Sequence, residues 1–185
     1  MNSIIDRIAR DLSLDRDYIA SIIRRSSFYY KRFTMLLQYQ RNDSTSIRIV
    51  HDLLQDPRVI YQASPELKSL QYWVREKILK FLPVSNAAFA YQAGNSIKKH
   101  ADFHKEARFI FHTDIKNYFP SIHEKMFTDI LIAHQDKLQA QGMWFDDMCD
   151  VIAKICFYRG RLSIGTVSSP MISNIVAYQF DESII

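Results

Sequence analysis

Between Phe111 and Ile122 the chain reads Phe-His-Thr-Asp-Ile-Lys-Asn-Tyr-Phe-Pro-Ser-Ile, which lodges one carboxylate, Asp114, between an apolar run and a paired aromatic. The residues before it, Arg108 to Thr113, are rich in aromatic and β-branched side chains and predict a buried strand. A carboxylate at the end of such a strand costs free energy unless a counter-charge or a metal meets it. A divalent cation is the candidate, so Asp114 is the residue any fold of this chain must accommodate.

A second segment, Arg161 to Asn174, sets the glycine turn at Gly165 before Ser169-Pro170 and a helical run. Together the two segments resemble reverse transcriptases, with bacterial retron and group II intron enzymes nearest in pattern. The first is similar to that family's Asp-Ile-x-x-Phe-Phe-x-Ser-Ile block, the second to its Gly-x-x-x-Ser-Pro-x-x-Ser-Asn block. Arg58-Val-Ile-Tyr, Leu67-Lys68, Gln71-Tyr-Trp, Gly94-Asn-Ser96-Ile and Ala101-x-x-His104 fall between Arg58 and His104 in the order expected of such an enzyme's fingers and early palm. The resemblance covers roughly the last two thirds of the chain.

At 185 residues, 48% of them hydrophobic and 24% charged, the chain suits one domain or part of a larger one with a real core. Charge is unevenly placed. Residues 1–100 carry 16 Lys and Arg against 9 Asp and Glu, net +7, and residues 101–185 carry 8 against 11, net −3, giving the +4 of the whole. A basic front and an acidic back suit a protein that holds phosphates with one part and cations with the other; the plain alternative is ordinary surface charge. Cys149 and Cys156 lack the paired spacing of zinc or redox sites and read as buried thiols of a reducing compartment. No apolar run reaches membrane-spanning length and the amino terminus does not read as a secretory signal, so a cytoplasmic protein with no membrane partner is expected.

Along the chain, Ser3 with Asp6 caps a helix through Leu12, and Asp15 starts a second with Tyr18, Ile19, Ile22 and Ile23 on one face. Phe28 to Leu37, Ile47 to Val50 and Arg58 to Tyr61 are strand candidates. Ser64-Pro65-Glu66 opens a helix carrying Leu67, Leu70, Val74, Ile78 and Leu82, which Pro83 ends. Ser121-x-x-Glu124 predicts a capping box for a helix to about His134, Phe145 to Tyr158 predicts another, and Ser169-Pro170 begins the last. The expected fold class is α+β: a helical pair over 1–27, fingers over 28–104, and a partial palm with a mixed or antiparallel sheet over 105–185, as in a right-hand polymerase with an incomplete palm.

The resemblance implies roles for particular residues. Asp114 would be catalytic and would ligate both Mg²⁺ ions of a two-metal site, metals that sit ~3.5–4 Å apart in such enzymes. The Ile115 carbonyl would help hold the nucleotide-side ion. Arg58 would grip the triphosphate of an incoming deoxynucleotide, as a planar guanidinium suits. Phe119 would lie under the sugar and exclude a 2′-hydroxyl, with plain core packing as its alternative; Tyr118 would point the other way on extended backbone. Gly165 would allow close backbone approach to the nucleotide, and Ser169 would sit at the helix start that supports the template. Ile164 stands where the family commonly has Gln, and the Gln40–Pro57 stretch replaces a short lysine-bearing hairpin, so no lysine there is assigned to the nucleotide. Lys98, Lys99 and His100 form a cationic stretch suited to a nucleic-acid backbone. His100 and His104 at helical spacing also allow a metal, but a solvated helix end or a structural hydrogen bond is the preferred reading.

The family's second acidic block, Tyr-x-Asp-Asp, is not in these 185 residues, and neither is a thumb; Asp146-Asp147 precedes the Ser-Pro block and belongs to a helical pattern. One carboxylate does not position two Mg²⁺ ions, so these residues by themselves are expected not to polymerise. The implied function is RNA-directed DNA polymerisation, with an RNA template, a DNA primer, deoxynucleoside triphosphates and a structured non-coding RNA as implied partners. Two alternatives stay open: a non-catalytic nucleic-acid-binding module, and a helix-turn-helix DNA-binding regulator built on residues 1–27.

Overall fold

A computed structural model describes residues 3–35 and 58–184, with the backbone alone for Met35 and Arg58. The chain opens with α1 (Ile4–Leu12) and α2 (Arg16–Arg24). Both start as their sequences require. The Ser3 hydroxyl accepts from the Ile5 amide and the Asp15 carboxylate from the Tyr18 amide at 2.8 Å, each satisfying a donor that the first helical turn leaves open. Ile4, Ile8, Ile19, Ile22 and Ile23 are buried, while Tyr18 stays exposed on the same helix.

The pair is anchored onto the rest of the fold by an acidic side chain from far along the sequence. Asp147 accepts from the Ser3 hydroxyl and, at 2.8 Å, from the Ile4 amide. This half-buried carboxylate therefore acts as a second cap on α1. Asp147→Ala is expected to cost about 1–3 kcal/mol, because it removes two hydrogen bonds to a charged acceptor at a helix start; urea denaturation of the two proteins measures it.

A turn of 3-10 helix leads into β1 (Tyr30–Met35), which pairs antiparallel with β2 (Arg58–Ala63), Tyr30 opposite Ala63 and Met35 opposite Arg58. The strand candidate Ile47 to Val50, the end of Phe28 to Leu37 and the whole of the Gln40–Pro57 stretch lie outside the described residues. Ser64 caps α3 (Pro65–Lys77), and Pro65 occupies its first position, where a missing N–H costs nothing. The helix ends at Lys77 and a 3-10 turn, Leu79–Phe81, carries the chain on, so Ile78 and Leu82 are buried as expected but not on one continuous helix.

Beyond it come α4 (Ile97–His104), α5 (Tyr118–Ser121), α6 (Glu124–Ala133), α7 (Gln135–Ala140), α8 (Met148–Cys156), the two-residue hairpin β3 (Phe157–Tyr158) with β4 (Arg161–Leu162), and α9 (Ser169–Ile184). The core forms where α3, α8 and the amino-terminal pair meet and continues between α6, α8 and α9. Phe127, Leu131 and Met148 are fully buried there, each contributing about 1.5–3 kcal/mol of apolar transfer. None of the helices described is long and apolar enough to cross a membrane.

The architecture is α+β, and two local expectations are corrected. Residues 108–113 form no strand: Phe109 is 93% exposed and Phe111 90%. Strand propensity reflects a fit to neighbouring strands, and no strand pairs with this segment among the described residues. The capping box at Ser121 and Glu124 does not form either. Ser121 donates instead to the Tyr118 carbonyl at 2.7 Å and closes α5, while the Glu124 amide donates to the Gly160 carbonyl at 3.0 Å. A local carbonyl thus takes the Ser121 hydroxyl and a tertiary one the Glu124 amide, so neither is left for a box.

Candidate active site

The Ser-Pro segment folds back onto β2. The Tyr61 amide donates to the Ile164 carbonyl at 2.9 Å, and Gly165, at φ +98°, lies against Ile60 and the Tyr61 carbonyl. A β-carbon on Gly165 would stand 2.5 Å from Ile60 Cγ2 and 3.3 Å from the Tyr61 oxygen. Both the dihedral and the crowding call for glycine. Ser169, the first residue of α9, is fully buried, and its hydroxyl bonds to that of Thr166 within the turn. The turn is thus held by its own side chains and by the strand that carries Arg58 three residues before Tyr61.

Asp114 and Ile115 precede α5, with Asp114 exposed and Ile115 51% exposed. Asn117, left-handed at φ 54°, turns the chain into that helix. Tyr118 and Phe119 therefore sit on helical rather than extended backbone, which corrects the premise that they point opposite ways. Tyr118 is half-buried and donates to the Ser173 carbonyl of α9 at 2.9 Å; Phe119 packs at the core margin, its ring 5.7 Å from that of Tyr118 and 6.5 Å from that of Tyr91. Arg161 reaches across from the hairpin to the Pro120 carbonyl at 2.9 Å. The segment after Asp114 is therefore fixed to both α9 and the β3–β4 hairpin.

The cationic stretch lies on α4. Lys98 is exposed, Lys99 donates to the Gly94 carbonyl at 2.6 Å, and His100 lies in a cluster of rings with Phe89 and His104, both 5.0 Å away. No group of three or more His, Cys, Asp or Glu side chains able to hold a metal forms among the described residues.

Behind the turn the electrostatics are those of a dry interior. Burial pushes the Cys156 thiol up to about 12, the nearby Ser168 hydroxyl pulling weakly the other way, and burial likewise raises the Tyr30 phenol. Both groups are acids whose neutral form is favoured by folding. Their contribution is whole below the unfolded values, near 9.0 for the thiol and 10.0 for the phenol, and is lost as pH rises through that range toward the folded values. Stability is expected to fall above about pH 9, with a shallower fall in Cys156→Ala; urea midpoints between pH 7 and 10.5 measure both slopes.

No family model matches the chain. Individual proteins do. It is 33% identical over 130 residues to the retron Ec73 reverse transcriptase of Escherichia coli, an alignment covering 69% of this chain and 41% of that protein. To the retron Ec86 reverse transcriptase of the same organism it is 34% identical over 125 residues, covering 67% and 36%. The retron Mx162 reverse transcriptase of Myxococcus xanthus is 40% identical over 65 residues, 35% of this chain and 13% of that one. The chain belongs to the retron reverse transcriptase family.

The chain spans less than half the length of the curated relatives it matches. In this chain the fold brings the Arg58 strand and the Gly165 turn together and fixes Tyr118, the neighbour of Phe119, to α9, while Lys98, Lys99 and His100 occupy a separate helix. As a place for a divalent cation, the described residues offer the Asp114 carboxylate and the adjacent Ile115 carbonyl, a hard donor set short of a complete shell. The residue that sequence reasoning left without a role is Gln71. Its signal was present: it lies on the α3 stripe between Leu70 and Val74, where a polar side chain must be hydrogen-bonded internally.

Proposed function

We propose that this chain is the fingers and early palm of an RNA-directed DNA polymerase, with residues 1–27 a helical extension, 28–104 the fingers and 105–185 part of the palm. The observation that carries the reading is the seating of the Gly165 turn on β2. It brings together two segments about a hundred residues apart that the reverse transcriptase pattern requires at one nucleotide pocket. In this reading Asp114 and the Ile115 carbonyl hold Mg²⁺, Arg58 binds the triphosphate, and Gly165 with the buried Ser169 shapes the floor of the pocket. Mg²⁺ supplies activation of a primer hydroxyl and charge neutralisation at the triphosphate. Lys98, Lys99 and His100 lie along the path of the RNA template and DNA primer, or of a structured non-coding RNA.

The remaining metal carboxylates come from a second acidic block that residues 1–185 do not contain, so these residues by themselves are inactive. Arg16, the natural first contact of a DNA-reading α2, is bonded at 2.7 Å to Asp6, which gives the regulator alternative no support. Phe119 tests the pocket. In the protein translated from its native gene, Phe119→Ala is expected to raise incorporation of ribonucleotides relative to deoxynucleotides by about tenfold or more, the order that a single packing contact provides. Unchanged discrimination would leave Phe119 as core only.

A further inference from the structure

Gln71 is fully buried on α3 and bonded on both sides of its amide. Its nitrogen donates to the Tyr30 hydroxyl at 3.1 Å and to the Ile155 carbonyl at 3.0 Å, and its oxygen accepts from the Val167 amide at 3.4 Å. The orientation of the amide follows from these partners, because a carbonyl only accepts and a backbone N–H only donates. Ile155 lies in the last turn of α8, where carbonyls lack helical partners, so the nitrogen side of Gln71 closes a helix end together with Tyr30, which donates to the same carbonyl at 3.3 Å. The oxygen side does something separate. Val167 is two residues beyond Gly165, inside the turn that Ile164 ties to β2. The turn is thus held from two directions, by β2 through backbone and by α3 through one side chain.

We infer that Gln71 is a positioning residue: it fixes the turn between Ile164 and Ser168 relative to α3, and through the turn sets the nucleotide pocket, a consequence that rests on the function proposed above. Gln71 touches no reacting group. Its effect reaches the pocket through the Val167 amide, so its loss weakens nucleotide binding more than it slows chemistry.

The test compares Gln71→Met, which keeps length and loses every hydrogen bond, with Tyr30→Phe, which loosens the α8 end and leaves the Val167 bond in place. Two quantities are read: hydrogen exchange of the Val167 amide in residues 1–185, and KM and kcat for deoxynucleotides in the protein translated from the native gene. In Gln71→Met, Val167 exchange is expected to accelerate about tenfold or more and KM to rise about tenfold with kcat within about twofold, as the loss of one buried hydrogen bond allows. Tyr30→Phe is expected to lower stability while leaving Val167 exchange and KM near wild type. Equal shifts in the two variants, or an unmoved Val167 amide in Gln71→Met, would overturn the positioning role. If wild type makes no templated product, the polymerase reading fails, and Val167 exchange in the two variants still upholds or overturns the hold of Gln71 on the turn.

Discussion

Gly165→Ala is expected to destabilise the protein by roughly 2–4 kcal/mol and to part the turn from β2. Two costs combine. An alanine at φ +98° adopts backbone that side chains avoid, about 1–3 kcal/mol, and a methyl forced into a filled space costs about 1–3 kcal/mol more, partly relieved by relaxation. Ile60 can rotate away, but the Tyr61 carbonyl at 3.3 Å is backbone and moves only with the strand. The turn must give, and the Tyr61–Ile164 hydrogen bond goes with it. Gly142 supplies the control, because at φ +64° it also has a left-handed backbone but nothing lies within 4 Å of an added β-carbon. Gly142→Ala should therefore cost only about 1 kcal/mol. Urea denaturation of both variants decides the matter: similar losses would show that the approach of the turn to β2 is not tight.

The largest functional effect is expected at Asp114. In the protein translated from its native gene, Asp114→Asn should lower RNA-templated incorporation by about 10³-fold or more, the scale on which a group acting directly on the reaction is felt. The same substitution should leave stability within about 0.5 kcal/mol, because Asp114 is exposed and surface changes of this kind are nearly silent. Thermal unfolding and primer extension on the same two preparations measure both. The pairing of outcomes matters: a loss of activity accompanied by a loss of stability would make Asp114 structural.

The helix starts were legible because they are local. Ser3, Asp15 and Ser64 each cap a helix within three residues of themselves, and neighbours in sequence suffice to recognise them. Ser121 and Glu124 carry the same local signal and fail, since Gly160, brought in by the hairpin, captures the Glu124 amide. The strand expected before Asp114 fails for a related reason. Phe109 and Phe111 have strand composition, but a strand exists only with its neighbours, and their identity is not written in residues 108–113. At the site, the glycine before Ser-Pro was readable as a turn, whereas its pressure against Ile60 depends on how β2 and α9 come together. Asp147 shows the same limit from the other side. In sequence it is half of an acidic pair, and only the fold reveals it as the carboxylate that ties α1 to the start of α8.

In the proposed function the Asp114 segment and the Gly165 turn belong to one RNA-copying pocket. This is tested most directly by supplying the protein translated from the native gene with an RNA template of defined sequence, a DNA primer, deoxynucleotides and Mg²⁺, and sequencing what is made. DNA complementary to the template, made by wild type and missing with Asp114→Asn, is the expected result. No product from wild type, or product that persists without Asp114 or ignores the template, would contradict it.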